Sequence, residues 1–216
     1  MAVCKNQSQK HGYILESIIR KTIFNLPEKH NDTGIHDIPY TENTLDPKEN
    51  ISIKSTGSTI ICCADILRFF NYEFEKKNTI ICIKYQQKNN KKIIKQIFEI
   101  DYNEKCHKKL FGNCPFDKIK AYVEYIKSIP KGKVDKETRL KYKTEKKQIQ
   151  EEYKCIIKIN PKVDSKTQRR VQCSIPDFEN TLKEFITYKS TFENPNVIRN
   201  KTIPTSIISS RRIRKK

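Results

Sequence analysis

The 216-residue sequence contains no apolar run approaching the roughly 18 residues that a membrane-spanning helix needs. Met1 to Lys10 lacks the apolar stretch of a secretory leader. The expectation is therefore a soluble chain that stays inside the cell, in the cytoplasm, with no membrane partner. There is no CxxC pair. The eight cysteines are scattered, with Cys62 and Cys63 adjacent and Cys82 inside an apolar run, in a chain long enough to build a core without staples. They read as reduced thiols. Cys106-His107 with Cys114 is the one group with metal-ligand character, and it lacks the second pair of a structural zinc site, so buried thiols are the better reading. With no internal repeat and no Gly/Ser linker, the expected organisation is one domain over 1–190 and a basic extension over 191–216.

Acidic residues are also short. Asp and Glu number 25 against 44 Lys and Arg, a formal net charge of +19. Self-repulsion of that size calls for a polyanionic partner, and nucleic acid is the obvious one. Some of the charge has a plainer reading as solvated helix surface, since Lys141 to Lys147 alternates with Glu145 and Glu151. Ser209 to Lys216, with Arg211, Arg212, Arg214, Lys215 and Lys216, reads as a basic arm that adds non-specific attraction to phosphate.

Apolar periodicity supplies the elements. Ile14, Leu15, Ile18, Ile19 and Ile23 recur at helical steps between Gly12 and Phe24, before Pro27, with Glu16 off the main stripe. Gly34 to Pro39 and Ile51 to Lys54 are extended candidates around a turn-rich stretch and look like a hairpin. Thr59 to Cys63 is β-prone and runs into a short helix over Ala64 to Phe70. Thr79 to Tyr85 and Ile93 to Tyr102 form a long hairpin around Gln87 to Lys92. Helices over Pro115 to Ile129 and Lys136 to Tyr153 follow, broken by Pro130-Lys131-Gly132. Cys155 to Ile159 and Arg170 to Ser174 make another strand pair, and Pro176 opens a closing helix to about Tyr188. This order predicts an α/β fold of α+β character, a central mixed β-sheet flanked by helices.

The stretch that carries chemistry is Gly34-Ile35-His36-Asp37-Ile38-Pro39 followed by Ile51-Ser52-Ile53-Lys54-Ser55-Thr56-Gly57. A lone carboxylate in one strand and an apolar-x-apolar-Lys pattern in the next let Asp37 and Lys54 meet. Alternation puts Ser52 and Lys54 on one face while Ile51 and Ile53 point into the core. A lysine fixed beside a metal-binding carboxylate can help to position and activate a water.

With these residues the sequence resembles the PD-(D/E)XK nuclease superfamily, and within it restriction endonucleases of the type II kind. The resemblance implies a restriction-endonuclease-like sheet, Mg2+ as cofactor, double-stranded DNA as substrate, Asp37 as metal ligand and Lys54 as catalytic lysine. It also implies Glu16 as the first-helix acid beside the metal and the carbonyl of Ile53 as a further ligand. Ser52 occupies the position that the family fills with Asp or Glu, so a second acid must come from elsewhere, Glu16 first and Glu49 second. Asp46 in place of Asp37 remains an alternative, although it leaves few residues before Ser52 for a strand pair. Restriction-modification chemistry further implies a cognate DNA methyltransferase acting on the same site, and a palindromic site is read most economically by a homodimer.

A second cluster runs from Asn160 to Gln172. Lys162, Lys166, Gln168, Arg169, Arg170 and Gln172 place cations and amides in one expected hairpin. Arg and Gln can read base edges while Lys holds phosphate, and only nine of the basic residues of the chain are Arg, which makes the Arg169-Arg170 pair stand out. The competing reading of the whole chain is a non-catalytic DNA- or RNA-binding protein that works by its basic surface alone.

Overall fold

A computed structural model describes residues 7–28, 34–163 and 167–208, with only the backbone for 7–12. The chain forms two compact units, the second inserted into the first: residues 1–58, 75–101 and 184–216 make one, and 59–74 with 102–183 the other. The division expected near residue 190 is absent, because segments on both sides of it pair with the same sheet.

In the first unit, helix α1 (Gln7–Phe24) ends where Asn25 adopts a left-handed conformation and the N–H of Leu26 bonds back to the carbonyl of Arg20 at 2.9 Å. Its stripe of Leu15, Ile19 and Ile23 is buried against Ile51 and Ile53 of strand β1 (Glu49–Thr56). Each such side chain contributes roughly 1.5–3 kcal/mol on burial. Strands β3 (Lys77–Lys88) and β4 (Lys91–Asp101) form the expected hairpin, turning at Asn89, and β1 pairs with β3 in parallel over its whole length. The sheet is therefore mixed, and α1 covers one of its faces.

The expected hairpin between 34–39 and 51–54 is reduced to a single antiparallel bridge, Ile38 with Ile51. Its shortness has a cause: β3 takes the inner edge of β1, which leaves the Asp37 segment the outer edge, and that segment then turns away through Pro39. Three further segments complete the first unit: β7 (Ile186–Lys189) and β10 (Ser206–Ile208) pair along β4, and β8 (Val197–Ile198) with β9 (Lys201–Thr202) forms a small hairpin. The expected closing helix from Pro176 to Tyr188 stops at α6 (Phe178–Thr181) and a 3-10 turn. The β-branched Ile186-Thr187 with Tyr188 then prefers the edge of the sheet.

The second unit holds an antiparallel sheet of β2 (Ile61–Asp65), β6 (Arg170–Ile175) and β5 (Lys158–Lys162), in that order, with α2 (Ile66–Phe70), α3 (Glu104–Phe111), α4 (Phe116–Ser128) and α5 (Lys136–Glu152). Helix α4 packs on β6 and α5 on β5. Strand β5 begins three residues later than the sequence suggests, because the N–H groups of Ile156 and Ile157 bond to the carbonyl of Leu110 instead. Pro161 is tolerated there because β5 is an edge strand. His107 sits among the rings of Phe70, Phe74 and Phe111 with Nε2 3.1 Å from the carbonyl of Phe70, and burial lowers its pKa. Among the described residues no three His, Cys, Asp or Glu side chains group as a metal site, and no helix is long and apolar enough to cross a membrane.

Candidate functional site

The outer edge of β1 brings Asp37 and Lys54 together. Ile38 exchanges both backbone hydrogen bonds with Ile51, at 2.8 and 3.0 Å, and so fixes the preceding residue against the strand. Asp37 Oδ2 accepts the N–H of Ile53 at 2.5 Å and the Lys54 ammonium at 3.2 Å, while among the described residues Oδ1 accepts no hydrogen bond. In a strand the N–H and C=O of one residue point to the same side, as those of Ile51 do toward Ile38. The carbonyl of Ile53 therefore faces the edge that Asp37 occupies. The two charged side chains keep about a fifth of their surface in solvent, 19% for Lys54 and 25% for Asp37, so an incoming ligand can reach them.

Arg20 holds this arrangement from α1. The residue is 2% exposed, and its guanidinium donates to the carbonyl of Asp37 at 2.7 Å, to Glu42 Oε2 at 3.0 Å and to the carbonyl of Pro27 at 3.2 Å. The sequence carries no sign of this contact, since the partners lie up to 22 positions away. Glu16 is half-buried one helical turn before Arg20, hence on the same side of α1. His36 precedes Asp37, and its pKa is lowered to about 4, first by burial and further by Lys54, with Asp37 opposing. At neutral pH the imidazole is uncharged, so Lys54 supplies the positive charge beside Asp37.

The alternatives for the missing acid separate clearly. Ser52 is 1% exposed within the sheet. Glu49 is equally buried, and both its oxygens are taken by Arg199, Thr79 and Lys77. Burial pushes its carboxyl up, but these donors outweigh burial and hold it at about 2. A carboxylate so committed has no oxygen left for a cation. Asp46 caps its own turn, with Oδ1 accepting the N–H of Lys48 at 2.9 Å. Glu16, the first choice of the sequence reading, lies on α1, the helix that also carries Arg20.

The second cluster divides. Lys162 and Arg170 are exposed and directly opposite each other across β5 and β6, Gln172 is half-buried on the same face, and Lys166 lies outside the described residues. Gln168 is half-buried in the loop before β6. Arg169 is turned to structure: its guanidinium donates to the carbonyls of Ile129, Pro130, Gly132, Val163 and Gln168 and ties down the break between α4 and α5. It has no N–H left for a base edge, which removes it from the expected reading set. Arg169→Met is accordingly expected to cost about 2 kcal/mol of stability, because several partly buried carbonyls lose their donors at once. Arg170→Ala should leave the melting temperature nearly unchanged. Thermal melts of both variants check this, and equal melting would show that the Arg169 contacts contribute nothing.

Compared with protein-family models, with curated proteins and with solved structures, the chain matches none, so the chemistry of the site itself carries the functional argument.

Proposed function

We propose that the chain is a Mg2+-dependent endonuclease that hydrolyses phosphodiester bonds in double-stranded DNA at a short specific site, as a type II restriction enzyme does. The observation that carries the reading is the Lys54 ammonium 3.2 Å from Asp37 Oδ2, with that same oxygen pinned by the N–H of Ile53. The two bonds fix the carboxylate through Oδ2 and leave Oδ1 with no hydrogen bond among the described residues. A hard cation takes oxygen ligands, and Oδ1 of Asp37 with the carbonyl of Ile53 is a set of that kind, to which Glu16 would add the second charge. Bound there, Mg2+ would polarise the scissile phosphate and offset charge on the departing oxygen.

The residues of the chain do the rest. Lys54 holds the attacking water by hydrogen bonding and favours its ionised form by its charge. The water oxygen forms a bond to phosphorus as its proton leaves to solvent, the bond to the sugar oxygen breaks, and the departing oxygen takes a proton back from solvent. Arg20 acts as a positioning residue, because it grips the backbone of Asp37 and touches no reacting atom.

A non-catalytic nucleic-acid-binding protein is the second reading, favoured by Ser52 standing where an acid is expected. In that case Asp37 serves only to cap the edge of β1. Digestion of a long sequenced DNA with Mg2+, followed by mapping of the ends, decides between them; discrete ends support hydrolysis at a site, and intact DNA supports the second reading.

Glu16→Gln should raise the Mg2+ concentration needed for half-maximal cleavage by about tenfold or more, since the amide keeps the shape and loses the charge. Ser52→Ala should shift it little, and Ca2+ should permit binding without cutting. A Mg2+ titration of the three proteins tests this, and an unchanged midpoint for Glu16→Gln would remove the first-helix acid from the site.

A further inference from the structure

The outward face of the three-stranded sheet in the second unit carries cations with no acidic partner among the described residues. Register pairs Lys158 with Ser174, Asn160 with Gln172 and Lys162 with Arg170 across β5 and β6, and Ser174 also faces Cys62 of β2. These side chains therefore share one face, while Ile159, Val171, Cys173 and Ile175 are buried on the other. Lys158, Lys162, Arg170 and Cys62 are exposed.

Three observations select the occupant. Among the described residues none of the three cations has an acidic partner, and Lys162 directly opposite Arg170 is a like-charge pair that weakens the sheet unless an anion lies over it. Asp65, the acid in register with Gln172, is already used, because its Oδ1 accepts the N–H groups of Leu67 and Arg68 at the start of α2. The strand positions that form this face hold no aromatic ring on which an unpaired base could stack, which argues against single-stranded nucleic acid. Lys158 and Lys162 lie about 13 Å apart along the strand, close to the width of a major groove.

We propose that this face docks duplex DNA through its backbone, with Lys158, Lys162 and Arg170 on phosphates. That the polyanion is DNA rests on the reading above, but the docking does not depend on the chemistry at Asp37 and Lys54. Each exposed cation that leaves removes about one unit from the salt dependence of binding.

Cys62 reports on the face directly, being exposed where the other described cysteines are buried. The full chain is treated with a maleimide in Ca2+, with and without a saturating unmodified duplex, and labelling at Cys62 is followed by mass spectrometry, with Cys62→Ser as the control for site. Duplex should slow labelling at least tenfold. The doubly substituted Lys162→Ala, Arg170→Ala protein, with melting unchanged or slightly raised because both side chains are exposed and their repulsion is removed, should bind roughly tenfold more weakly near 0.1 M salt, with a slope of log K against log salt shallower by about two. Full-rate labelling in the saturated complex, or a variant with wild-type affinity and slope, overturns the docking face and leaves the hydrolysis reading standing. Protection by single-stranded RNA and not by duplex also overturns it. Protection by duplex without any Mg2+-dependent cleavage supports the face and removes the hydrolysis reading alone, whereas a chain that binds no duplex at all loses both.

Discussion

Lys54→Met and Asp37→Asn are each expected to lower Mg2+-dependent cleavage by about a hundredfold to a thousandfold while DNA affinity measured in Ca2+ stays near that of the wild type. The two changes remove different things. Methionine fills the space of the lysine stem but loses the charge that favours an ionised water, an electrostatic loss worth two to three decades in rate. Asparagine keeps an oxygen to accept the N–H of Ile53, so the edge of β1 remains capped, yet it loses the negative charge that a hard cation requires. Single-turnover cleavage of a labelled duplex, with a thermal melt of each variant, separates chemistry from folding. Near-normal cutting by either folded variant would take the pair out of catalysis. A fall in melting temperature for Asp37→Asn without loss of cutting would instead mark Asp37 as a structural cap.

How far this site was legible from sequence depends on the kind of contact. Asp37 and Lys54 could be paired because a lone carboxylate before an apolar-x-apolar-Lys run has few other partners, and the bridge at Ile38–Ile51 provides their meeting. Arg20 could not be found this way. Its stem lies among helical apolar residues, and its effect depends on a backbone carbonyl 17 positions on, which leaves no pattern. Arg169 misled for the opposite reason: it sits beside exposed cations, but a five-donor guanidinium satisfies loop carbonyls as well as it reads bases. Composition could place cations on the 160–172 hairpin without telling which of them face solvent.

The fold divided along similar lines. The β3–β4 hairpin was readable because alternation and a polar turn are local signals, and α4 and α5 because their helical patterns run for several turns. The parallel neighbour of β1 was not, since a buried apolar strand encodes its burial and not which strand lies beside it. The inserted second unit left no linker composition at its crossings. Strands β7 to β10 are two to four residues long, too short for any period to appear. What sequence offered there was basic residues, and one of these, Arg199, is a structural charge.

Glu49→Gln and Arg199→Met should each destabilise the chain by about 3 kcal/mol, because each removes one charge of a largely buried cluster and leaves Arg199 with Glu99 alone or Glu49 with Lys77 in place of Arg199. Glu49 is 1% exposed and takes two bonds from Arg199, at 2.8 and 3.0 Å, one from Thr79 at 2.6 Å and one from Lys77 at 2.9 Å. The same guanidinium reaches Glu99 at 2.5 Å, so it joins β1, β4 and the hairpin of β8 and β9. Arg199 and Asn200 both have positive φ, 49° and 59°, the conformation of a two-residue hairpin turn, which is costly for a side chain such as arginine. The ion pairs offset that cost. The pH dependence follows from the carboxyl held at about 2 against an ordinary 4.5. A depressed folded pKa contributes stability that is present above 4.5 and lost as pH falls toward 2, on the order of 3 kcal/mol across that window. Urea unfolding at pH 7, 4.5 and 3 should therefore show the wild type losing stability between pH 4.5 and 3 more steeply than Glu49→Gln. The doubly substituted Glu49→Leu, Arg199→Met protein should recover part of the loss of either single change, since neither charge is then left alone. Parallel pH profiles for the wild type and Glu49→Gln would show that the carboxylate is not held by its partners, and the ion pairs would then contribute nothing to keeping the turn at Arg199 in place.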